Sequence, residues 1–403
     1  MKMPIPTETR RTASATRAIV GAVGTTVVCV VPVFLVGGLA VQIGHDLHFS
    51  PAGLGLAVSA YFGISAFTSV PTGWLVERFG PTRTGRVGVV LSAAGMGAIA
   101  AARSFTALLV LLAVAGVGNS LGQIASNGTL AARVPPGRQG LSFGLKQAAV
   151  PASALLAGLA VPALGLTLGW RWAFGLGALL AIAALPLVPR DGLVGRRAAT
   201  GTGERNTTAL AVVGLAGLLG AGSANALSSF LVDSSVSGGM RPALAGLTLT
   251  AGSAVCVTVR VLAGWLADRH DSGHLVAVAT GLAGGAVGLA LIAAGSPPAL
   301  LTGVLIGFGM GWAWPGLLNF AVVRLHPQEP AAATSITQTG VYAGGAVGPI
   351  AFGATAAGAG YPTAWLGAAV TMLCASVMML VGRRLLGGPP SPDVHPPDPG
   401  PAA

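Results

Sequence analysis

Long apolar runs, separated by short polar or glycine- and proline-rich stretches, follow one another along nearly the whole chain. A helix needs about 20 mostly apolar residues to cross the hydrocarbon of a bilayer. We find six such runs at 18–41, 53–75, 87–102, 107–131, 141–164 and 172–188, and six more at 209–231, 243–266, 275–294, 299–323, 332–357 and 363–381. The pattern predicts an all-α membrane protein with twelve transmembrane helices, numbered here as spans one to twelve.

The polar stretch between the sixth and seventh runs divides the chain into two parts. We predict a six-helix bundle at 18–188, a cytoplasmic linker at 189–208 and a second six-helix bundle at 209–386. The tails, 1–17 and 387–403, have little to bury and are expected to be disordered. Composition agrees, because 53% of the residues are hydrophobic and only 8% are charged, whereas soluble domains carry about 25% charged residues.

The net charge of +11 would suit a nucleic-acid partner if the basic residues formed a patch. Instead they flank the apolar runs, which predicts a lipid bilayer as the surroundings and no nucleic acid as a partner. Alternate loops place seventeen basic residues on one side and only Arg103, Arg171 and Arg241 on the other. Because Lys and Arg accumulate in cytoplasmic loops, both termini are expected in the cytoplasm, with the protein in the plasma membrane.

The same landmarks recur at one offset of 191 residues, which indicates an internal duplication. Gly73-Trp74-Leu75 recurs as Gly264-Trp265-Leu266. Matches at the same offset include Pro51-Ala52 with Pro242-Ala243, Arg133 with Arg324, and Gln147 with Gln338. We therefore expect two homologous bundles related by pseudo-two-fold symmetry.

The loops after spans two and eight carry a motif that supports a family assignment. They read Gly73-Trp-Leu-Val-Glu77-Arg78-Phe-Gly80 and Gly264-Trp-Leu-Ala-Asp268-Arg269-His270. Both resemble the signature loop of the major facilitator superfamily, although the first has Glu for the usual Asp and the second loses the later glycine. The resemblance implies a secondary transporter that alternates access to a central site. It also implies a conformational gate in which the glycines allow tight turns, Glu77 meets Arg133, and Asp268 meets Arg324.

Two basic residues, Lys146 in span five and Arg260 in span eight, fall inside apolar runs. Because an intramembrane charge is costly, each should face a cavity or a partner. No carboxylate lies clearly within a span, so we predict that an anionic substrate supplies the negative charge. In the superfamily these spans lie side by side, and Arg260 is similar in position to the arginine of monocarboxylate and oxalate porters. The alternative for Arg260 is bonding to helix carbonyls, and for Lys146 it is snorkelling to the interface.

Uncharged polar residues inside spans complete the predicted substrate site. Asn119, Gln123 and Asn127 follow one another at intervals of four, so they share a helix face. The residues that we select for substrate binding beside Arg260 and Lys146 are Asn119, Gln123, Asn225, Gln338 and Tyr342. Hydrogen bonding between helices is the alternative for each of them.

The functional prediction is a transporter of a small solute, with an organic anion or monocarboxylate favoured. The coupling ion, a proton or another ion, is not defined, although Asp46, Asp233 and Lys146 could titrate. The sequence contains no phosphate-cradling loop, catalytic triad or metal-ligand cluster, so we expect no enzyme activity, metal or cofactor. A drug or metabolite exporter and a non-transporting receptor or scaffold of the same fold remain as alternatives.

Overall fold

The computed structural model describes residues 8–135, 138–188, 207–270, 272–326 and 330–386. Of the predicted linker and tails, residues 1–7, 189–206 and 387–403 lie outside these ranges. In chain order the α-helices of the first half are α1 (Glu8–Gly38), α2 (Ala40–Leu47), α3 (Pro51–Phe79), α4 (Pro81–Ala100), α5 (Phe105–Arg133), α6 (Gln139–Ala160) and α7 (Trp170–Ala184). Those of the second half are α8 (Thr207–Ser237), α9 (Pro242–Ala267), α10 (His274–Ala293), α11 (Pro297–Ile306), α12 (Pro315–Leu325) and α13 (Pro330–Leu386).

The described helices account for the twelve predicted spans. The apolar stretch of 51 residues at the end of α13 would measure about 77 Å, more than twice the hydrocarbon thickness. It bends at Gly360, whose φ of +83° is not helical, so α13 contains spans eleven and twelve. Helix α4 is span three and carries Arg83 and Arg86 near its start. The prediction of a twelve-helix, all-α membrane protein is confirmed.

The helices extend beyond the apolar runs from which they were predicted. Helix α1 begins at Glu8, ten residues before the expected start, so the part of the predicted tail from Glu8 onward is helical. Helix α8 continues to Ser237 and includes Asp233, a carboxylate that we had placed outside the spans. A hydropathy pattern identifies the apolar part of a helix, and it does not identify polar turns at the two ends.

Span ten is not the continuous helix that the apolar run predicts. After α11 comes a π-helical turn, Gly307–Gly311, then a turn at residues 312–314, and α12 starts at Pro315. Pro315 has no N–H to continue the helical bonding of the preceding segment. The break interrupts the regular backbone hydrogen bonding within span ten.

The internal duplication is visible in the backbone. Gly169 and Gly360, which are 191 residues apart, have φ of +96° and +83° at the turns that precede spans six and twelve. Close contacts between the halves repeat as well, because Gly55 packs on Pro349 while its counterpart Gly246 packs on Gly158. These contacts join α3 to α13 and α9 to α6, which confirms two bundles related by pseudo-two-fold symmetry.

The end of the bundle opposite the arginine-rich loops shows the repeat in its side chains. Trp170 Nε1 donates to Asp46 Oδ2 at 2.9 Å, and Tyr361, the residue 191 positions later, donates through its hydroxyl to Asp233. The first contact joins α2 to the start of α7. The second joins the end of α8 to the part of α13 that follows Gly360. We call the other end, where Arg78, Arg133, Arg269 and Arg324 lie, the basic end.

Candidate substrate and gating sites

The side chain of Arg260 is buried between three helical segments, with only 4% of the residue exposed. Its Nε and Nη2 donate to the carbonyl of Trp312 at 3.2 and 2.6 Å. Its Nη1 donates to the carbonyl of Gln147 at 2.6 Å. Arg260 therefore joins α9 to span ten in its own half and to α6 in the other half. Bonding to helix carbonyls was the alternative that the sequence left open for Arg260, and the structure has this arrangement.

Both carbonyls lie where regular helical hydrogen bonding is interrupted. Helical bonding would give Gln147 O the N–H of residue 151, but that residue is a proline inside α6. Trp312 lies in the turn between the π-helical segment and α12. A buried carbonyl without a donor costs about 1–3 kcal/mol. The guanidinium, with five N–H donors, compensates both carbonyls at once.

The ring of Trp312 occupies the centre of an aromatic group that crosses between the halves. It makes edge contacts with Phe34 of α1 at 5.7 Å and with Phe308 at 5.5 Å between ring centroids. The Arg260 guanidinium lies 5.5 Å from the Trp312 ring. Trp312 is thus a packing residue, and its carbonyl also fixes Arg260.

Lys146 lies on α6 next to Gln147 and is 2% exposed. Its ammonium donates to the side-chain carbonyl of Gln123 on α5, and the carbonyl of the next residue, Gln147, accepts from Arg260. The structure therefore brings Lys146, Gln123 and Arg260 together, and we call these three with Gln147 the cation cluster. Lys146 is enclosed by protein and does not snorkel.

Asn119 is not part of the cation cluster, although it shares a helix face with Gln123. Its Nδ2 donates to Ser65 Oγ on α3 at 3.0 Å, and Ser65 in turn donates to the carbonyl of Gly116. The Oδ1 atom of Asn119 is enclosed and accepts no hydrogen bond within the described structure. Asn119 therefore links α5 to α3 within the first bundle.

Asn225, Gln338 and Tyr342 lie half-buried on α8 and α13. Asn225 donates to Ala221 O of its own helix at 3.0 Å, and its amide lies beside Gly345 together with Phe62 of α3. Gln338 and Tyr342 are one turn apart on α13, on the same stripe as Ala346, which faces Gly63 of α3. These three polar residues thus lie beside the contact between α3 and α13, the second place where the halves meet.

At the basic end, Asp268 connects the two bundles. Its Oδ2 accepts the backbone N–H of Leu141, in the first turn of α6, at 3.0 Å. A carboxylate at a helix N-terminus meets both free N–H groups and the positive end of the helix dipole. A Cβ placed on Gly140 would collide with the Asp268 carboxylate, so glycine at this position permits the contact.

Asp268 and Arg324 each contact backbone at the basic end. Asp268 accepts from the α6 backbone, and Arg324 donates to the carbonyl of His270 at 3.1 Å. A contact between Asp268 and Arg324, which the signature loop implies, stays a prediction. Gly73 and Gly264 lie inside α3 and α9, not in turns, so the expected turn role is corrected. Gly264 serves close helix contact instead.

The remaining gate residues lie at the basic end with other contacts. Arg78 is exposed and lies 5.3 Å from the Trp74 ring, and Arg269 lies 3.6 Å from that of Trp265. Arg133 is half-buried in the last turn of α5. The side chain of Glu77 is outside the described part of the structure, so its contact with Arg133 stays a prediction.

Sequence reasoning did not identify which backbone carbonyls accept from Arg260, or which backbone N–H donates to Asp268. Part of the signal for the first was present, because Pro151 cannot donate to the carbonyl of Gln147 within a helix. The contact of Asp268 with Leu141 had no such signal, since every helix start offers free N–H groups.

Comparison with known families agrees with this architecture. The family model of the Major Facilitator Superfamily matches residues 22–211 and again residues 213–402. These two matches cover nearly the whole chain and coincide with its two halves. The chain belongs to the major facilitator superfamily, and it is a multi-pass membrane protein with the transporter fold.

One similar sequence and one similar solved structure can be named. A chloramphenicol resistance protein of Streptomyces lividans is 28% identical over 331 residues, which span 79% of this chain and 83% of the relative. The crystal structure of a bacterial homologue of the human lysosomal transporter Spinster, inward-facing and occupied, superposes with a TM-score of 0.67. That match has 16% identity and covers 95% of this chain and 97% of the other, so it shows the fold alone.

Proposed function

We propose that this protein is a secondary transporter that exports small, uncharged, amphipathic molecules such as chloramphenicol. The observation that carries the proposal is the state of the two intramembrane cations. Arg260 makes three hydrogen bonds to backbone carbonyls, Lys146 bonds to Gln123, and both are buried. A neutral ligand needs neither cation, whereas an anion would have to displace these contacts.

The chloramphenicol resistance protein supports the same substrate class. Its similarity extends over most of both chains, so it includes both bundles and the interface between them. Under this proposal the half-buried Asn225, Gln338 and Tyr342 supply hydrogen bonds to the ligand, and aromatic side chains such as Phe62 supply apolar contact.

Transport of an organic anion or monocarboxylate is the second candidate. It is favoured by the proximity of Lys146 and Arg260 at the contact between α6 and α9. If the halves separate there, both cations would lose protein partners and could bind a carboxylate, Arg260 in bidentate fashion. In that case Asn119 and Gln123 would line the same side of the site.

We also propose that both ends of the chain lie in the cytoplasm and that the basic end faces it. The excess of arginines in the loops of that end supports this orientation in the plasma membrane. Asp46 and Asp233 would then lie near the outer surface. The contact between Asp268 and Leu141 would act on the cytoplasmic side as part of the gate.

Ligand-dependent thermal stabilisation of the purified protein distinguishes the candidates. We expect chloramphenicol to raise the melting temperature, because a ligand that binds only the folded state stabilises it. Lactate and oxalate should not raise it. Cells that produce the protein should also accumulate less labelled chloramphenicol than vector controls.

Stabilisation by lactate or oxalate, with none by chloramphenicol, would overturn the proposal in favour of the second candidate. Orientation is tested separately by labelling cysteines placed in the loops. A protein that binds ligands but moves none of them across reconstituted vesicles would instead be a receptor or scaffold.

A further inference from the structure

We propose that the amine of Lys146 is the proton-binding site through which a proton gradient drives export; this inference rests on the proposed function. No atom other than the proton changes partner in this step. The amine gains a proton from water on one side of the membrane and releases it on the other.

The use of lysine at this position is itself informative. Of the 22 lysines and arginines in the chain, only Lys2 and Lys146 are lysines. An arginine stays charged at all accessible pH values, whereas a buried lysine can exist as a neutral amine. The chain therefore has a titratable base at a deeply buried position of the first bundle. Every other basic residue except Lys2 is an arginine.

The polar surroundings of Lys146 suit both protonation states. An ammonium has three N–H donors, and within the described structure the acceptor that it meets is the side-chain carbonyl of Gln123. A neutral amine can keep that hydrogen bond with one N–H. Loss of the proton therefore does not break the contact that positions the side chain.

The charged surroundings make protonation depend on the arrangement of the two halves. Arg260 on α9 bonds to the carbonyl of Gln147, the residue next to Lys146, and to that of Trp312. Its guanidinium is thus fixed near Lys146, and like charges at short range repel each other. Asp268, the carboxylate of α9, bonds to Leu141, five residues before Lys146 and about 8 Å along the helix. Among side chains that the structure describes, the other titratable or charged groups on helices packed against α6 are Cys256 on α9, Arg17 and Cys29 on α1, Arg133 on α5, and Arg324 on α12.

The consequence is a coupling between proton binding and the α6–α9 contact. While Arg260 bonds to Gln147, the positive charge beside Lys146 favours the neutral amine. When the halves separate at this contact, Arg260 moves away and Lys146 can take up a proton. A proton on Lys146 would in turn disfavour closure, so a gradient could drive the cycle in one direction.

Lysine-selective ¹³C labelling tests the titration directly, because the chain contains only two lysines. The Lys146→Met variant assigns the signals. We expect the side-chain carbon next to the Lys146 amine to change chemical shift with pH while the Lys2 signal does not, in the range where the protein stays folded. A Lys146 signal that remains that of an ammonium throughout this range, as Lys2 does, would overturn the proposal.

Transport by Lys146→Met and Lys146→Gln in proteoliposomes tests the coupling. Counterflow of labelled chloramphenicol, which needs no net proton movement, should persist, whereas uphill accumulation driven by a pH gradient should be lost. Uphill transport equal to that of wild type would refute the role of Lys146. Absence of counterflow in wild type would instead refute the proposed function. If both variants melt earlier than wild type, the ¹³C titration of Lys146 in the wild-type protein tests the proposal without them.

Discussion

At the scale of single residues, Arg260 illustrates how far a sequence can predict a buried charge. The apolar surroundings indicated that it needs a partner, and the packing of spans five and eight indicated that Lys146 is near. The identity of the partner depended on backbone atoms. The carbonyl of Gln147 lacks a helical donor because residue 151 is a proline. The carbonyl of Trp312 lies at a break in span ten that only the structure shows.

Replacement of Arg260 should destabilise the protein through its carbonyl acceptors. In Arg260→Ala the carbonyls of Gln147 and Trp312 lose their donors, with a cost of about 1–3 kcal/mol for each. In Pro151→Ala the backbone N–H of residue 151 becomes available to Gln147. We therefore expect Arg260→Ala to lower the melting temperature less in a Pro151→Ala background than in wild type.

The four melting temperatures form a double-mutant cycle. Equal losses from Arg260→Ala in both backgrounds would show that the Gln147 carbonyl does not depend on the guanidinium. Arg260→Lys serves as the conservative comparison, because a lysine keeps the charge but cannot donate to both carbonyls with the geometry of the guanidinium.

At the scale of helices, the apolar runs predicted which elements exist but not how they end or break. The lengths of the runs were sufficient to predict helices, because a segment that crosses a bilayer must satisfy its backbone hydrogen bonds internally. The extra turns of α1 and the break in span ten were not predicted. The first turns of α1 are polar, like a loop. The break in span ten is apolar, like a continuous span. The hydropathy pattern alone therefore detected neither feature.

Glycines decide how closely helices α8 and α13 approach. Gly340, Gly344 and Gly348 lie at intervals of four on α13 and pack directly on the α8 backbone at Gly214, Leu218 and Gly222. Small residues in this pattern let membrane helices approach closely. The stripe was visible in the sequence, but its partner helix was not.

Gly344→Ala should lower the melting temperature, because its Cβ would collide with the carbonyl of Leu218. Overpacking of this kind costs about 1–3 kcal/mol. Gly367→Ala, later on the same helix with no atom within 4 Å of an added Cβ, is the matched control and should be neutral or slightly stabilising. Equal melting temperatures for the two variants would mean that α8 and α13 can separate without cost.

At the scale of the whole molecule, the 191-residue duplication carried the fold prediction. One offset related motifs, prolines and glycines, and the structure repeats the same offset in its turns and cross-bundle contacts. The candidate site was less predictable. Pseudo-symmetry places equivalent helices around the centre, but it does not determine which of their polar side chains meet each other.

The two halves differ at equivalent places, and Asp46 offers a test of one such difference. Besides Trp170, Asp46 accepts from Arg171 Nη1 at 2.7 Å, whereas the residue equivalent to Arg171 in the second half is Pro362. The hydrogen bonds from Trp170 and then from Arg171 hold the pKa of the Asp46 carboxyl below its ordinary value. A lowered pKa in the folded state means that the carboxylate stabilises the fold above about pH 3.9, its ordinary pKa.

This stabilisation is lost as the pH falls through the lowered pKa of the folded state. Asp46→Asn should therefore reduce the melting temperature at neutral pH by an amount on the order of 2 °C, and the difference from wild type should shrink as the pH falls below about 4. Trp170→Phe, which removes one donor and keeps the carboxylate and Arg171, should reproduce part of the loss. Scanning fluorimetry of the three proteins over a pH series measures the effect. A difference that stays constant down to the lowest pH would show that Asp46 acts through its shape and not through its charge.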